Sequence, residues 1–114
     1  MAVSREYREF VLEQLERVAA PVTSRAMFGG VGVYSGGLFF ALMAGETLYL
    51  KVDDTNRPDF EAVGMGAFRP FGGDEHTMHY YELPADLLED ADALRPWVEK
   101  SVDAARRSRK SKKK

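Results

Sequence analysis

The chain has two histidines, His76 and His79, both within Asp74-Glu75-His76-Thr77-Met78-His79. Imidazoles beside carboxylates are ligands that zinc takes. On a strand, however, a spacing of three residues sends the two rings to opposite faces. The glycines before the run and the β-rich residues after it favour a loop entering a strand. A metal site would need further converging ligands, so no metal is expected. Ser35, in Val33-Tyr34-Ser35-Gly36-Gly37, lacks the leading glycine of a nucleophile elbow and reads as part of a hairpin turn. Carboxylate pairs occur at Asp53-Asp54, Asp74-Glu75 and Glu89-Asp90, at strand ends and helix starts where such residues cap and turn the backbone. Gly29-Gly30-Val31-Gly32 has the look of a phosphate cradle, but no helix follows to aim its N-terminus at an anion. Its glycines fit a bulge or close strand packing, with Gly29 or Gly30 in a backbone conformation closed to larger residues. No catalytic residue, cofactor or metal is assigned on this reading.

The chain's 114 residues include no cysteine, so disulfides, thiolate metal sites and a cysteine nucleophile are absent. That composition suits a reducing compartment, and a cytoplasmic location is expected. The longest apolar run, Leu38 to Ala44, is far short of the roughly 20 residues that span a bilayer, so no membrane association is expected. A chain of this length has room for one core.

The net charge of −2 hides an asymmetry. Arg106, Arg107, Arg109, Lys110, Lys112, Lys113 and Lys114 are seven of the 16 basic residues, which leaves nine basic and all 18 acidic residues, a formal −9, before position 106. Residues 1–105 therefore read as the folded domain and 106–114 as a basic, disordered tail. Seven cations with no aromatic among them neutralise phosphates but cannot read bases, so the tail is either a solvated extension with no target or a site of weak, nonspecific nucleic-acid contact.

The elements that must position these groups follow from apolar spacing. A helix from about Ser4 to Ala19 carries Tyr7, Phe10, Val11, Leu15 and Val18 on one stripe, and Pro21 ends it. From Ser24 to Asp53 the period falls to two, with glycine at intervals, as in hairpin-linked antiparallel strands. Leu38 to Met43 is apolar on both faces and belongs in the middle of the sheet. A short helix opens at Asp54 or Thr55 and stops at Gly64. Ala67 to Phe71 reads as an edge strand because Pro70 cannot donate a ladder bond, and Thr77 to Leu83 reads as a further strand. A last helix capped near Asp90 or Asp92 carries Leu94, Trp97, Val98, Ser101, Val102 and Ala105 inward, with Trp97 in the main core. The expected fold is α+β: an antiparallel sheet of about five to six strands, packed against N- and C-terminal helices, with a short helix between the strand groups.

In this sheet Tyr49 and Lys51 point away from Leu48 and Leu50, and Tyr80 opposes Tyr81, which leaves aromatic surface for a protein contact. Arg25, Tyr49 and Lys51 are the candidate protein- or ligand-contact residues.

Several segments resemble, in family order, the N-terminal domain of the TfoX/Sxy family: Arg25-Ala26-Met27-Phe28-Gly29-Gly30-Val31-Gly32-Val33-Tyr34, Phe40-Ala41-Leu42, Leu48-Tyr49-Leu50-Lys51-Val52-Asp53, Pro70-Phe71, Met78-His79-Tyr80-Tyr81-Glu82-Leu83-Pro84 and Leu87-Leu88-Glu89-Asp90. The resemblance implies a compact α+β domain with an antiparallel sheet and no known catalytic activity. It also implies a role, in the better-studied bacterial members, in transcriptional control of DNA-uptake genes. Two-domain members carry a helical C-terminal domain where this chain has its basic tail.

The expectation is a non-enzymatic regulatory or adaptor domain that acts by protein contact, with transcription machinery or a second copy as partner. The alternative is a small-molecule binding domain or an unrecognised enzyme, with a pocket between sheet and helices where Arg25, Lys51 and Tyr49 converge.

Overall fold

The computed structural model describes residues 3–27, 29–68 and 79–112, with side chains described as far as Arg109. The element order is α1 (Arg5–Ala19), β1 (Val22–Met27), β2 (Gly30–Ser35), β3 (Leu38–Ala44), β4 (Thr47–Lys51), α2 (Arg57–Ala62), β5 (Tyr80–Glu82) and α3 (Ala91–Lys112), with a 3-10 turn at Ala85–Glu89 before α3. The fold is α+β, as the alternation of helical and two-residue periods predicts.

The N-cap of α1 is Ser4, whose Oγ accepts a hydrogen bond from the Tyr7 N–H at 3.2 Å. The buried stripe of α1 is Val11, Leu15 and Val18. Phe10 was expected on that stripe, yet it is among the exposed large apolar residues, at 41%. It sits one residue off the Val11 line, about 100° around the helix, and Leu12 flanks the stripe on the other side.

The five strands form one antiparallel meander in the order β1-β2-β3-β4-β5, so β3 is central, as its two-sided apolar pattern requires. The β2–β3 turn uses Gly36 and Gly37 at φ 54° and 85°, the consecutive positive values that a tight hairpin turn demands. Gly29 has φ 77°, and a Cβ on Gly30 would stand 2.2 Å from the Met43 carbonyl oxygen. Both glycines are therefore required, one by conformation and the other by close approach of β3. The edge strand β1 begins at Val22, earlier than periodicity suggests, and its exposed centre, Thr23 to Ala26, is polar apart from Ala26.

Of the expected strand over Ala67 to Phe71, the described part is an isolated bridge from Ala67 to Tyr81. Residues 69–71 lie outside the described residues, as do Thr77 and Met78 of the expected last strand. Asn56, not Asp54 or Thr55, directly precedes the short helix α2.

Both long helices pack on one face of the sheet. Val11, Leu15 and Val18 of α1 and Leu94, Val98 and Ala105 of α3 meet Val31, Val33, Phe40, Ala41, Met43, Leu48 and Leu50 in one buried cluster. Asp90 caps α3 by accepting from the Asp92 and Ala93 N–H groups at 3.1 and 3.3 Å. Trp97 is half-buried at the margin of this cluster, not within it, and Phe60 of α2 occupies the interior position at 1% exposure. The two rings meet edge to face at 4.9 Å. Trp97 stands about 100° from Val98, which turns it toward α2 and away from the sheet.

Ser101 is fully buried on α3, and its Oγ has no hydrogen-bond partner among the described residues. A buried hydroxyl without a partner keeps its desolvation cost. Ser101→Ala is expected to raise stability by about 1 kcal/mol, read as a higher urea midpoint at unchanged slope.

Helix α3 does not stop at Ala105. It runs through Lys112, so residues 106–112 are helical and not the disordered tail expected from composition. The expectation failed because it weighed the loss of apolar residues but not contacts made by charged ones. Arg107 Nε donates to Asp53 Oδ2 at 2.7 Å and its Nη2 donates to Thr55 Oγ1 at 2.8 Å, tying the helix to the end of β4.

Candidate functional site

Backbone pairing places Arg25, Gly32, Leu42, Tyr49 and Glu82 side by side across all five strands. Residues directly opposite on paired strands share a face, and this row faces away from the helices. Its ends are charged and its centre is apolar. Around it lie two ring groups. Tyr34 stacks on Phe39 at 5.1 Å, Phe39 contacts Tyr80 at 5.4 Å, and Tyr49 contacts Phe68 at 4.5 Å. The Lys51 ammonium lies 5.2 Å from the Tyr80 ring centroid. Tyr34, Phe39, Leu42, Tyr49 and Phe68 are half-buried, and none belongs to the helix-packed cluster.

Tyr80 is buried at 8% exposure, and burial, followed by the neighbouring Tyr34, pushes its phenol well above the ordinary value. It stays protonated at neutral pH. Tyr49 is shifted in the same direction by burial and by Glu82, against a Thr47 hydrogen bond that lowers it.

The three contact residues predicted from sequence do not form one pocket. Tyr49 and Lys51 share a face of β4, whereas Arg25 lies on β1, three strand spacings or roughly 14 Å away. Lys51 instead lines a cavity of about 310 Å³ at the end of the sheet, with Leu38 and Phe39 of β3, Tyr80 of β5 and Ser108 and Arg109 of α3. Apolar spacing on α3 ends at Ala105, so nothing local in the sequence marks the partnership of Lys51 with Arg109. Of the other basic residues near the C-terminus, Arg106 pairs with Asp103 and Arg107 with Asp53. The side chains of Lys110 and Lys112 and all of Lys113 and Lys114 lie outside the described residues.

Groups that sequence reading weighed for chemistry have structural partners. The Ser35 hydroxyl donates to the Ala19 carbonyl at 2.6 Å and joins β2 to the end of α1. His79 is exposed at the start of β5, and His76 lies outside the described residues. Among the described residues no three His, Asp or Glu side chains converge as a metal site requires. No helix among them is long and apolar enough to cross a membrane.

Burial alone would raise the Asp53 carboxyl. Hydrogen bonds from Arg107 and from the Thr55 side chain and backbone, with the charge of Arg107, outweigh it and bring the group down to about 2. An unfolded aspartate titrates near ~3.9, so the folded value is depressed. Its contribution is therefore present above about pH 4 and lost as pH falls toward about 2. Because both partners are partly exposed and screened, Asp53→Asn is expected to cost about 1 kcal/mol at pH 7 and to flatten that acid dependence. Urea melts at pH 7, 4 and 2.5 on both proteins measure it.

Sequence comparison adds one family. The model of the TfoX N-terminal domain matches residues 13–105, which takes in the sheet, α1 from its third turn, and α3 as far as Ala105. No curated protein matches the chain.

Proposed function

Because the chain belongs to the TfoX N-terminal domain family, we propose that it is a non-enzymatic regulatory domain that engages a protein of the transcription machinery through the outer face of its sheet. The observation that carries this reading is the row Arg25-Gly32-Leu42-Tyr49-Glu82. It has an apolar, aromatic centre and charged ends, the layout of an interface core with a polar rim. It is carried on hydrogen-bonded strands backed by the core, so its shape is fixed before binding and little ordering entropy opposes association. The groups that hydrolytic or acid-base chemistry would draw on are engaged in the fold, Ser35 with Ala19 and Asp53 with Arg107.

The test is gene deletion in the source cell, transcript profiling, and complementation by the full chain and by Leu42→Gln combined with Arg25→Glu. The full chain should restore a defined set of transcripts, and the double variant, if its thermal melt matches the parent's, should not. Full restoration by a folded double variant contradicts the reading, as does a deletion that alters no transcript.

A further inference from the structure

The cavity at the sheet end shares Phe39, Tyr80 and Lys51 with the rings beside the outer row but contains none of the row's own residues, and its chemistry points to a ligand. It holds about 310 Å³, at the small end of the range that ligand pockets occupy. Its walls combine two cationic side chains, Lys51 and Arg109, two hydroxyls, Tyr80 and Ser108, and the apolar surfaces of Phe39 and Leu38. No carboxylate stands among the described residues that line it. Arg109 makes no ion pair or hydrogen bond with any described residue, whereas the neighbouring Arg106 and Arg107 are each matched by an aspartate. Its guanidinium extends over the β2–β3 turn, with Nη1 3.9 Å from where a Cβ on Gly37 would stand.

The helix segment that carries Arg109 is anchored to the sheet. Arg107, two residues earlier, is held by Asp53 and Thr55 at the end of β4, and Lys51 is the last residue of that strand. The helix-borne and strand-borne cations thus line one cavity. A guanidinium with its fork of donors and a neighbouring ammonium suit a doubly charged oxyanion better than a single carboxylate. The Tyr80 phenol, kept protonated, and the Ser108 hydroxyl supply neutral donors. Phe39 and Leu38 offer apolar contact to the group that carries the anion.

We infer that this cavity binds a small phosphate monoester, with the phosphate between Arg109 and Lys51 and its apolar or aromatic body against Phe39 and Leu38. The acidic body of the protein opposes long-range attraction of such a ligand, so recognition is local. The inference does not depend on the outer face engaging a partner.

The experiment is a ¹H–¹⁵N NMR titration of the full chain with phenyl phosphate, with benzoate and benzyl alcohol as controls. Saturable shifts are expected at Gly37, Phe39, Ser108 and the Arg109 side chain, with benzoate at least tenfold weaker and benzyl alcohol without effect. Arg109→Gln should weaken phenyl phosphate at least tenfold, Arg109→Lys should recover part of the loss, and Arg106→Gln, outside the cavity, should bind like the parent. Arg109 is exposed and unpaired among the described residues, so these variants should keep the parent's melting temperature. Shifts that do not saturate or that map elsewhere overturn the inference. So does equal binding of benzoate and phenyl phosphate, or undiminished binding by a folded Arg109→Gln protein.

Discussion

Phe40→Ala is expected to destabilise the protein by about 3 to 5 kcal/mol, a large share of the stability of a domain of this size. Phe40 is fully buried on the central strand and stands where the β2–β3 register shifts, between the pairs Val33↔Ala41 and Tyr34↔Phe39. The shift lets Phe39 join the outer rings while its neighbour Phe40 enters the helix-packed cluster. In a regular ladder, adjacent residues face opposite ways without leaving either unpaired; here the irregularity gives Phe40 an inward site with no residue directly opposite. Truncation would open a cavity in the cluster beneath α3, which cannot collapse without moving the sheet. Urea denaturation measures the loss. A change below about 1 kcal/mol would show that this ring does not fill the core as described.

The second large effect falls on Asn56, the one buried side-chain amide in the fold's described polar core, at 1% exposure. Its Oδ1 accepts from the Asp53 N–H at 2.8 Å and its Nδ2 donates to the Lys51 carbonyl at 3.0 Å. It thereby closes the backbone as β4 turns toward α2. Asn56→Ala would leave a buried donor and a buried acceptor without partners, at about 1 to 3 kcal/mol each. Asn56→Asp discriminates further. It preserves size and the bond from Asp53, but it turns a carboxylate oxygen onto the Lys51 carbonyl and buries a charge. It is expected to be at least as destabilising as alanine at pH 7, and to recover when the carboxyl is protonated at low pH. Equal stability of all three proteins at pH 7 would contradict this role.

Most of the sheet is legible in sequence because its signals are local. The Gly36-Gly37 pair, the alternation of Leu48, Leu50 and Val52, and the two-sided apolar run of β3 each name their element without reference to the rest of the chain. What sequence hides depends on long-range partners. Asn56 reads as a turn residue until it is seen to span from Asp53 to Lys51. Trp97 shares the apolar side of α3 with Leu94 and Val98, and only the position of Phe60 shows that it lies at the margin. The basic residues after Ala105 have no apolar spacing to mark a helix, and their order rests on Asp53 and Thr55, more than 50 residues earlier. The candidate sites divide in the same way. Tyr49 and Lys51 were found by strand alternation, whereas the cavity that pairs Lys51 with Arg109 requires the full course of α3.

Site-specific photocrosslinking in the source cell tests whether the outer sheet face is the working surface. A photoreactive phenylalanine analogue placed at Leu42, in the middle of the row, is compared with the same analogue at Glu13 on the exposed side of α1. One discrete adduct is expected from position 42, identified by mass spectrometry as a component of the transcription machinery, and none from position 13. Adducts from position 13 alone, or an adduct from position 42 that contains only a second copy of the chain, would contradict it.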